Sequence, residues 1–128
     1  MSGKMAIHTD LAPKAIGSYS QAVAAGNLVF VSGQIPLDPI TGIVIEGDIK
    51  VQTRRIMENA ASILAAAGCS FQQVVKATIY LRDMADFGAV NEVYGVYFGS
   101  EPPARATVAV AGLPKNAALE IDFIAWKA

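Results

Sequence analysis

The sequence predicts one α+β domain in which two helices pack on one face of a mixed β-sheet. Segments with strand and helix patterns follow the order β-β-β-α-β-α-β-β, and 128 residues suit a single domain over residues 1–128. Both helical segments are amphipathic, as in helices that cover a sheet from one side. Apolar residues make up 53% of the chain, so we expect further copies of the chain to cover the other sheet face.

Three strands are predicted in the amino-terminal part. The first covers residues 19–24 and the second residues 28–32, which are rich in β-branched and aromatic side chains, with a turn at Gly26 and Asn27 between them. The segment "DPITG" has the composition of a second turn. A short third strand is expected at residues 43–45.

The first helix is bounded by residues that favour helix ends. Asp48 can accept hydrogen bonds from the free amides of a first turn, and Gly68 can adopt the left-handed conformation that ends a helix. Between them, apolar side chains recur at helical spacing and share one face, at Ile49, Ile56, Ala60, Ile63 and Ala67.

A strand, a second helix and two final strands complete the fold. The strand lies in "QVVKATIYLRD", and the helix begins at Asp83 or Asp86 and ends at the prolines of "GSEPPA". The last two strands lie in residues 104–126, where "GLPKNA" is the expected turn if they form a hairpin. One side of the second helix carries Phe87, Val90, Tyr94, Tyr97 and Phe98.

Composition argues against several classes of function. Ten Lys and Arg balance eleven Asp and Glu, so nucleic acid is an unfavoured partner. No apolar run approaches the roughly 18 residues that cross a bilayer, and no targeting segment precedes the domain, so we expect a cytoplasmic protein without a membrane partner. His8 and Cys69 are each the sole residue of their type, which leaves little material for a metal site or a histidine triad.

Two opposite charges stand out in the apolar final strands. Arg105 and Glu120 are of the types rarely buried without a partner. They form either a structural ion pair or two parts of a binding site. If the last strands form a hairpin, Glu120 pairs near Ala109, roughly 13 Å along the strand from Arg105, which disfavours a salt bridge. Alternation places Arg105 and Thr107 on a face of small residues.

Three uncharged polar residues are also candidates for ligand contact. Tyr19 fits amphipathic packing as well as a site, Ser32 fits turn chemistry before Gly33, and Asn91 fits a solvated position beside the apolar side of the second helix. The residue pattern alone leaves both interpretations open for each of them.

Five segments, in order and at consistent spacing, resemble the RidA (YjgF) family of reactive-intermediate imine deaminases. The likeness covers nearly the whole chain from about Pro13 onward. It rests on the combination of a serine-glycine-glutamine step, a "DP-x-TG" turn and a late "AR-x-x-V" with "LP" and "E-I". The segments are "GSYSQAV", "LVFVSGQIPLDPITG", "GDIKVQTRRIMENAASILAAAG", "VVKATIYLRDMADFGAVNEVYGVYF" and "PPARATVAVAGLPKNAALEIDFIA".

The resemblance implies a chorismate-mutase-like α+β fold assembled as a homotrimer, with clefts between neighbouring subunits. Members hydrolyse enamines and imines such as 2-aminoacrylate and 2-iminobutanoate to 2-keto acids and ammonia, without a metal or an organic cofactor. Matched by motif, Arg105 binds the substrate carboxylate and Glu120 orients the water. The same matching assigns substrate contacts to Tyr19, Ser32, Gly33, Asn91 and the backbone amide of Thr107.

Two departures from the family pattern affect the expected substrate. Many members have Pro at the position of Ser18 and Cys at that of Thr107, and a β-branched Thr can narrow a pocket. Two other classes of function remain open: an endoribonuclease or translation inhibitor, and a trimer that binds small carboxylates without catalysis. The latter would need Arg105 but not Glu120.

Overall fold

The computed structural model describes residues 3–128. Six strands and two helices follow the chain in an order that confirms the α+β prediction. Short 3₁₀ turns precede β4, α2 and β6. The elements are β1 Lys4–Ile7, β2 Ala22–Ala25, β3 Leu28–Gln34, α1 Ile49–Ala66, β4 Val74–Leu81, α2 Phe87–Val96, β5 Ala104–Ala109 and β6 Leu119–Trp126.

All six strands form one mixed sheet in the order β1-β2-β3-β6-β4-β5. Neighbours are antiparallel except β4 and β5, which run parallel because α2 provides the crossover between them. Both helices pack on one face of the sheet, where the side chains that alternate inward along β3, β4 and β6 are buried. The largest side chains of this core are Phe123, Ile56, Met57, Ile63, Leu64, Ile79, Leu81, Leu119 and Ile121.

The predicted signals at both ends of α1 and at the start of α2 are confirmed, whereas α2 ends at Val96, before the prolines that were expected to end it. The Asp48 carboxylate accepts a hydrogen bond from the Val51 amide at 2.9 Å, and Gly68 adopts φ +79° just after the last turn of α1. Asp83 accepts from the Ala85 amide and opens a 3₁₀ turn, Met84–Asp86, that leads into α2. Asp86 makes no side-chain capping bond, so Asp83 is the residue that starts the helical segment.

The amino-terminal strand predictions need three corrections. The strand expected at residues 19–24 begins only at Ala22, and an unpredicted edge strand, β1, pairs with it. Residues 43–45 form no strand in the described chain and contribute only an isolated bridge between Leu37 and Val44. Glycines with positive φ on both sides, Gly42 and Gly47, prevent this segment from extending into a strand.

The last two strands do not form a hairpin. β5 pairs with β4 at the edge of the sheet, whereas β6 lies between β3 and β4. Glu120 therefore pairs with Tyr80 rather than with Ala109. The alternating pattern of β6, buried at every second residue, suits a central strand, whereas β5 has no fully buried residue and suits an edge.

The sheet face opposite the helices is uncovered in the single chain and is called the open face below. It carries large apolar side chains that are 38% to 49% exposed: Leu28, Phe30, Val108 and Trp126. Exposed apolar side chains grouped on one face commonly mark an association surface. No helix among residues 3–128 is long and apolar enough to cross a membrane.

Candidate functional site

Arg105 and Glu120 lie on opposite faces of the sheet. Arg105 is in register with Ala77, which is buried on the helix side, whereas Glu120 is in register with Tyr80 and lies on the open face. Within residues 3–128, Arg105 forms no ion pair with a carboxylate. The structure thus rules out the structural ion pair within one chain, although the reason is the sheet topology and not the expected hairpin spacing.

The surroundings of Arg105 are built by α2. The Arg105 Nη1 atom donates to Asn91 Oδ1 at 2.6 Å. The guanidinium carbon lies 5.3 Å from the Phe87 ring centroid and 5.1 Å from that of Tyr94. Residues 87, 91 and 94 are four and three positions apart, which places them on one face of the helix. Arg105, Asn91 and Tyr94 border a cavity of about 450 Å³, which we call the arginine pocket.

Thr107 follows Arg105 on the same face of β5. Its Oγ1 atom is buried, and it finds no hydrogen-bond partner among the described residues; the same is true of the Tyr94 hydroxyl. Burial raises the pKa of Tyr94, with the nearby Arg105 cation acting in the opposite direction, so this phenol is neutral at physiological pH. The arginine pocket therefore combines one cation with uncharged polar groups.

Glu120 borders a second cavity of about 450 Å³, on the other side of the sheet. We call it the glutamate pocket. Tyr19 and Gly33, two other predicted site residues, line the same cavity, together with Lys14 and Lys115. The structure thus brings three of the predicted residues together here, while Asn91 and Arg105 lie in the arginine pocket.

Gly33 gives the Glu120 side chain its space. The register of β3 against β6 shifts between Val31 and Gln34, which identifies a bulge around Gly33. A Cβ atom at Gly33 would overlap the Glu120 carboxylate. Only glycine at this position lets the carboxylate lie against the β3 backbone.

Ser32 ties β3 to the segment that carries Tyr19. Its Oγ donates to the Ser20 carbonyl at 2.5 Å, and its amide donates to the Gln21 carbonyl at 3.0 Å. The Ser32 hydroxyl is therefore engaged within the chain. These two hydrogen bonds hold the backbone that directly follows Tyr19 against β3.

Gln21 is a buried residue that the sequence reasoning missed. Its amide nitrogen donates to the carbonyls of Thr9 and Pro13 at 3.0 and 2.8 Å, and its amide oxygen accepts from the Thr9 amide at 2.7 Å. These bonds hold the segment that continues into Lys14 and the wall of the glutamate pocket. No spacing rule marks Gln21, since it follows "GSYS" like an ordinary surface residue.

The Glu120 carboxyl has a raised pKa. Burial is the main cause, and the negative charge of Asp122, two residues along the same face, adds to it. Asp122 is itself held by the Tyr80 hydroxyl, which donates to Oδ2 at 3.0 Å. A carboxylate with a raised pKa is a stronger proton acceptor than an ordinary glutamate.

Metal-binding groups are not assembled in the described part of the chain. No three His, Cys, Asp or Glu side chains among residues 3–128 are grouped so that they could hold an ion. Cys69 is free and buried, and His8 contacts Asp10 in an exposed position away from both pockets. The charged side chains that line the two pockets are Arg105 in the arginine pocket, and Glu120, Lys14 and Lys115 in the glutamate pocket.

Comparison with known proteins identifies the family of the chain. Residues 9–127 match the family described as Endoribonuclease L-PSP. A RutC family protein of Pyrococcus horikoshii is 55% identical over 124 residues, covering 97% of this chain and 98% of the relative. A rat protein named 2-iminobutanoate/2-iminopropanoate deaminase is 48% identical over 119 residues, covering 93% and 87%.

A solved structure extends the likeness to three dimensions. The crystal structure of E. coli TdcF with bound serine superposes with a TM-score of 0.92 at 43% identity, covering 97% of this chain and 99% of that one. The match covers nearly the whole chain, so the likeness applies to the fold as well as to the motifs. The chain belongs to the Endoribonuclease L-PSP family, which is the RidA (YjgF) family that its motifs resemble.

Proposed function

We propose that this protein hydrolyses imines and enamines of small 2-amino acids to 2-keto acids and ammonia, in clefts between the subunits of a homotrimer. The observation that carries the proposal is the placement of Arg105 and Glu120 on opposite faces of one sheet. A site that uses both residues needs two chains. The name of the rat relative supports the reaction, and the serine bound to TdcF supports a ligand of amino-acid size.

Arg105 is suited to hold the substrate carboxylate. Its guanidinium is exposed, has no carboxylate partner among the described residues, and uses Nη1 on Asn91. Its other N–H donors are free to form two parallel hydrogen bonds with a carboxylate. We assign Asn91 to holding this geometry and the Thr107 backbone to a further substrate contact.

Glu120 is suited to activate the water. As the water oxygen attacks the imine carbon, the carboxylate accepts a water proton and the C=N electron pair moves to nitrogen. The carboxylate passes this proton to the nitrogen, which gives a neutral carbinolamine. In its collapse the hydroxyl proton moves through the carboxylate to the nitrogen, the C=O bond forms, the C–N bond breaks, and ammonia leaves. An imine carbon is already electrophilic, so positioning and charge stabilisation suffice. We place Tyr19 and Gly33 beside the substrate and leave Ser32 to hold Tyr19.

The open face is the surface that we expect to form the trimer. Phe30→Glu would place a charge in each apolar interface, which costs several kcal/mol per unpaired buried charge, so the variant should sediment as a monomer and lose activity. Val96→Glu is the matched control, because Val96 is 79% exposed on α2, away from the open face. A stable wild-type monomer at micromolar concentration would refute both the trimer and the shared cleft.

The reaction itself is tested with freshly generated 2-iminobutanoate. Since free imino acids also hydrolyse unaided, 2-ketobutyrate release is followed with and without the protein, and the protein should accelerate it in proportion to its concentration. Equal rates would contradict the proposal. A parallel series with longer imines tests whether Thr107 restricts substrate size. Ser18 is exposed and lies just before Tyr19, so we expect it to have a smaller effect on substrate size.

Neither alternative function gains a specific observation. Cleavage of RNA, to which the family description refers, usually needs a proton donor and acceptor pair, and His8 lies outside both pockets. With a net charge of −1, the chain has no overall electrostatic attraction to phosphates. A protein that only binds carboxylates would need Arg105 but would have no use for Glu120 in the glutamate pocket.

The pH dependence of turnover should follow the ionisation of Glu120. The ionised form is needed to accept the proton, and burial and Asp122 raise its pKa, so turnover should fall on acidification with a midpoint above the ordinary glutamate value. Asp122→Asn removes the neighbouring charge but still accepts the hydrogen bond from Tyr80, so its midpoint should shift to lower pH. An unchanged midpoint in this variant would remove Glu120 as the group that sets the acid limb.

A further inference from the structure

We propose that Phe87 and Tyr94 are positioning residues for Arg105, whose guanidinium they hold through their rings in the orientation that receives a carboxylate. This inference rests on the proposed function. It assigns a role to two residues that the sequence places simply on the apolar side of a helix.

The first support is the contact geometry. The guanidinium carbon lies within about 5 Å of both ring centroids, at 5.3 Å for Phe87 and 5.1 Å for Tyr94, inside the range of cation–π attraction. Asn91, between them on the same helix face, adds the hydrogen bond at 2.6 Å. Three contacts from one helix thus restrain a long side chain that stands on an exposed edge strand.

The second support is the kind of partner that Arg105 has. A carboxylate partner would neutralise the guanidinium and compete for the N–H donors that a substrate carboxylate needs. Ring faces attract the cation while leaving its full charge and its remaining donors available. Phe87, Asn91 and Tyr94 therefore fix the position of the cation without occupying its binding groups.

The third support comes from the other aromatic residues near the end of α2. Tyr97 and Phe98 pack edge-on against Phe71, as in ordinary core packing. Arg105 has its ring contacts with Phe87 and Tyr94 instead. Phe98 also packs against Tyr94, with ring centroids 4.7 Å apart, so the two groups of rings adjoin at Tyr94. Phe87 has its ring contact with Arg105, which makes it the better position for a test.

The experiment compares Phe87→Leu with Phe87→Tyr. Leu keeps apolar bulk but removes the ring, and Tyr keeps the ring. By titration calorimetry, Phe87→Leu should weaken 2-ketobutyrate binding about 3- to 30-fold, the range that cation–π attraction provides, and should raise KM more than it lowers kcat. Phe87→Tyr should bind like the wild type. Phe71→Leu is the matched control: it removes a partly buried ring away from Arg105, so it should lower Tm and leave the dissociation constant unchanged.

A second variant covers the case in which Phe87→Leu folds poorly. Fluorinated phenylalanines at position 87 keep the shape of the ring and weaken the negative charge of its face, so binding should fall stepwise with added fluorine. Unchanged binding in the fluorinated series, or in a folded Phe87→Leu, while Arg105→Ala abolishes binding, would overturn the inference and leave the proposed function intact. Normal binding by Arg105→Ala would overturn the proposed function itself.

Discussion

Replacing Arg105 with Ala is expected to abolish imine hydrolysis and keto-acid binding while the protein stays folded. Two charge-assisted hydrogen bonds of about 1.5 to 3 kcal/mol each are lost, so kcat/KM should fall by about 10² to 10⁴. Stability should change little, because Arg105 is exposed and the described chain provides no carboxylate partner that would be left unpaired. Steady-state kinetics and thermal unfolding on the same sample check both parts.

Arg105→Lys is the control for charge alone. Lys keeps the cation but loses the planar fork that makes two parallel bonds, and it matches the surrounding rings less well, so we expect weak binding and slow turnover. Near-normal kinetics would mean that charge without bidentate geometry holds the substrate. A large loss of Tm in Arg105→Ala, with activity retained in the folded fraction, would assign the residue a structural role instead.

The second large effect is expected for Glu120→Gln, which should lower turnover by about 10² to 10⁴, the usual contribution of a general base. Binding of 2-ketobutyrate should persist, because Arg105 is untouched. The free energy of unfolding should not fall in this variant. Folding raises the pKa of the Glu120 carboxyl, so keeping it ionised in the folded chain lowers the free energy of unfolding at neutral pH. This loss of stability grows as pH rises through the shifted pKa. Gln removes it.

Product binding and turnover together separate the remaining functions. A wild-type protein that binds 2-ketobutyrate but does not accelerate imine hydrolysis would be a carboxylate binder. A Glu120→Gln variant with unchanged turnover would show that the substrate's own groups or another residue manage the water. Asp122→Asn serves as the matched acidic control, and it should keep most of its turnover near neutral pH.

The local elements of the fold could be predicted because their signals are local. Asp48 and Gly68 mark the limits of α1, and the alternation of β6 shows which side chains are buried. The position of β6 could not be predicted, because pairing between distant strands depends on topology. β1 was missed since its four residues are mostly exposed and carry little strand pattern.

The candidate site was predictable in its chemistry but not in its geometry. Arg105 and Glu120 stand out as charges in apolar strands, and motif resemblance supplied their proposed roles. Alternation within one strand cannot tell which face meets the helices, so their separation by the sheet appeared only in three dimensions. The sequence places Phe87 and Tyr94 only on one side of the second helix, because an aromatic side chain that holds a cation has the same spacing as one in a core.

The separation of Arg105 and Glu120 also has a genetic consequence. If each cleft takes Arg105 from one chain and Glu120 from its neighbour, two defective chains can complement each other. In random mixed trimers of Arg105→Ala and Glu120→Gln chains, about a quarter of the clefts would contain both intact residues. Coexpression of the two inactive variants would therefore restore part of the activity. A single chain that carries both substitutions would form trimers without any intact cleft and would stay inactive.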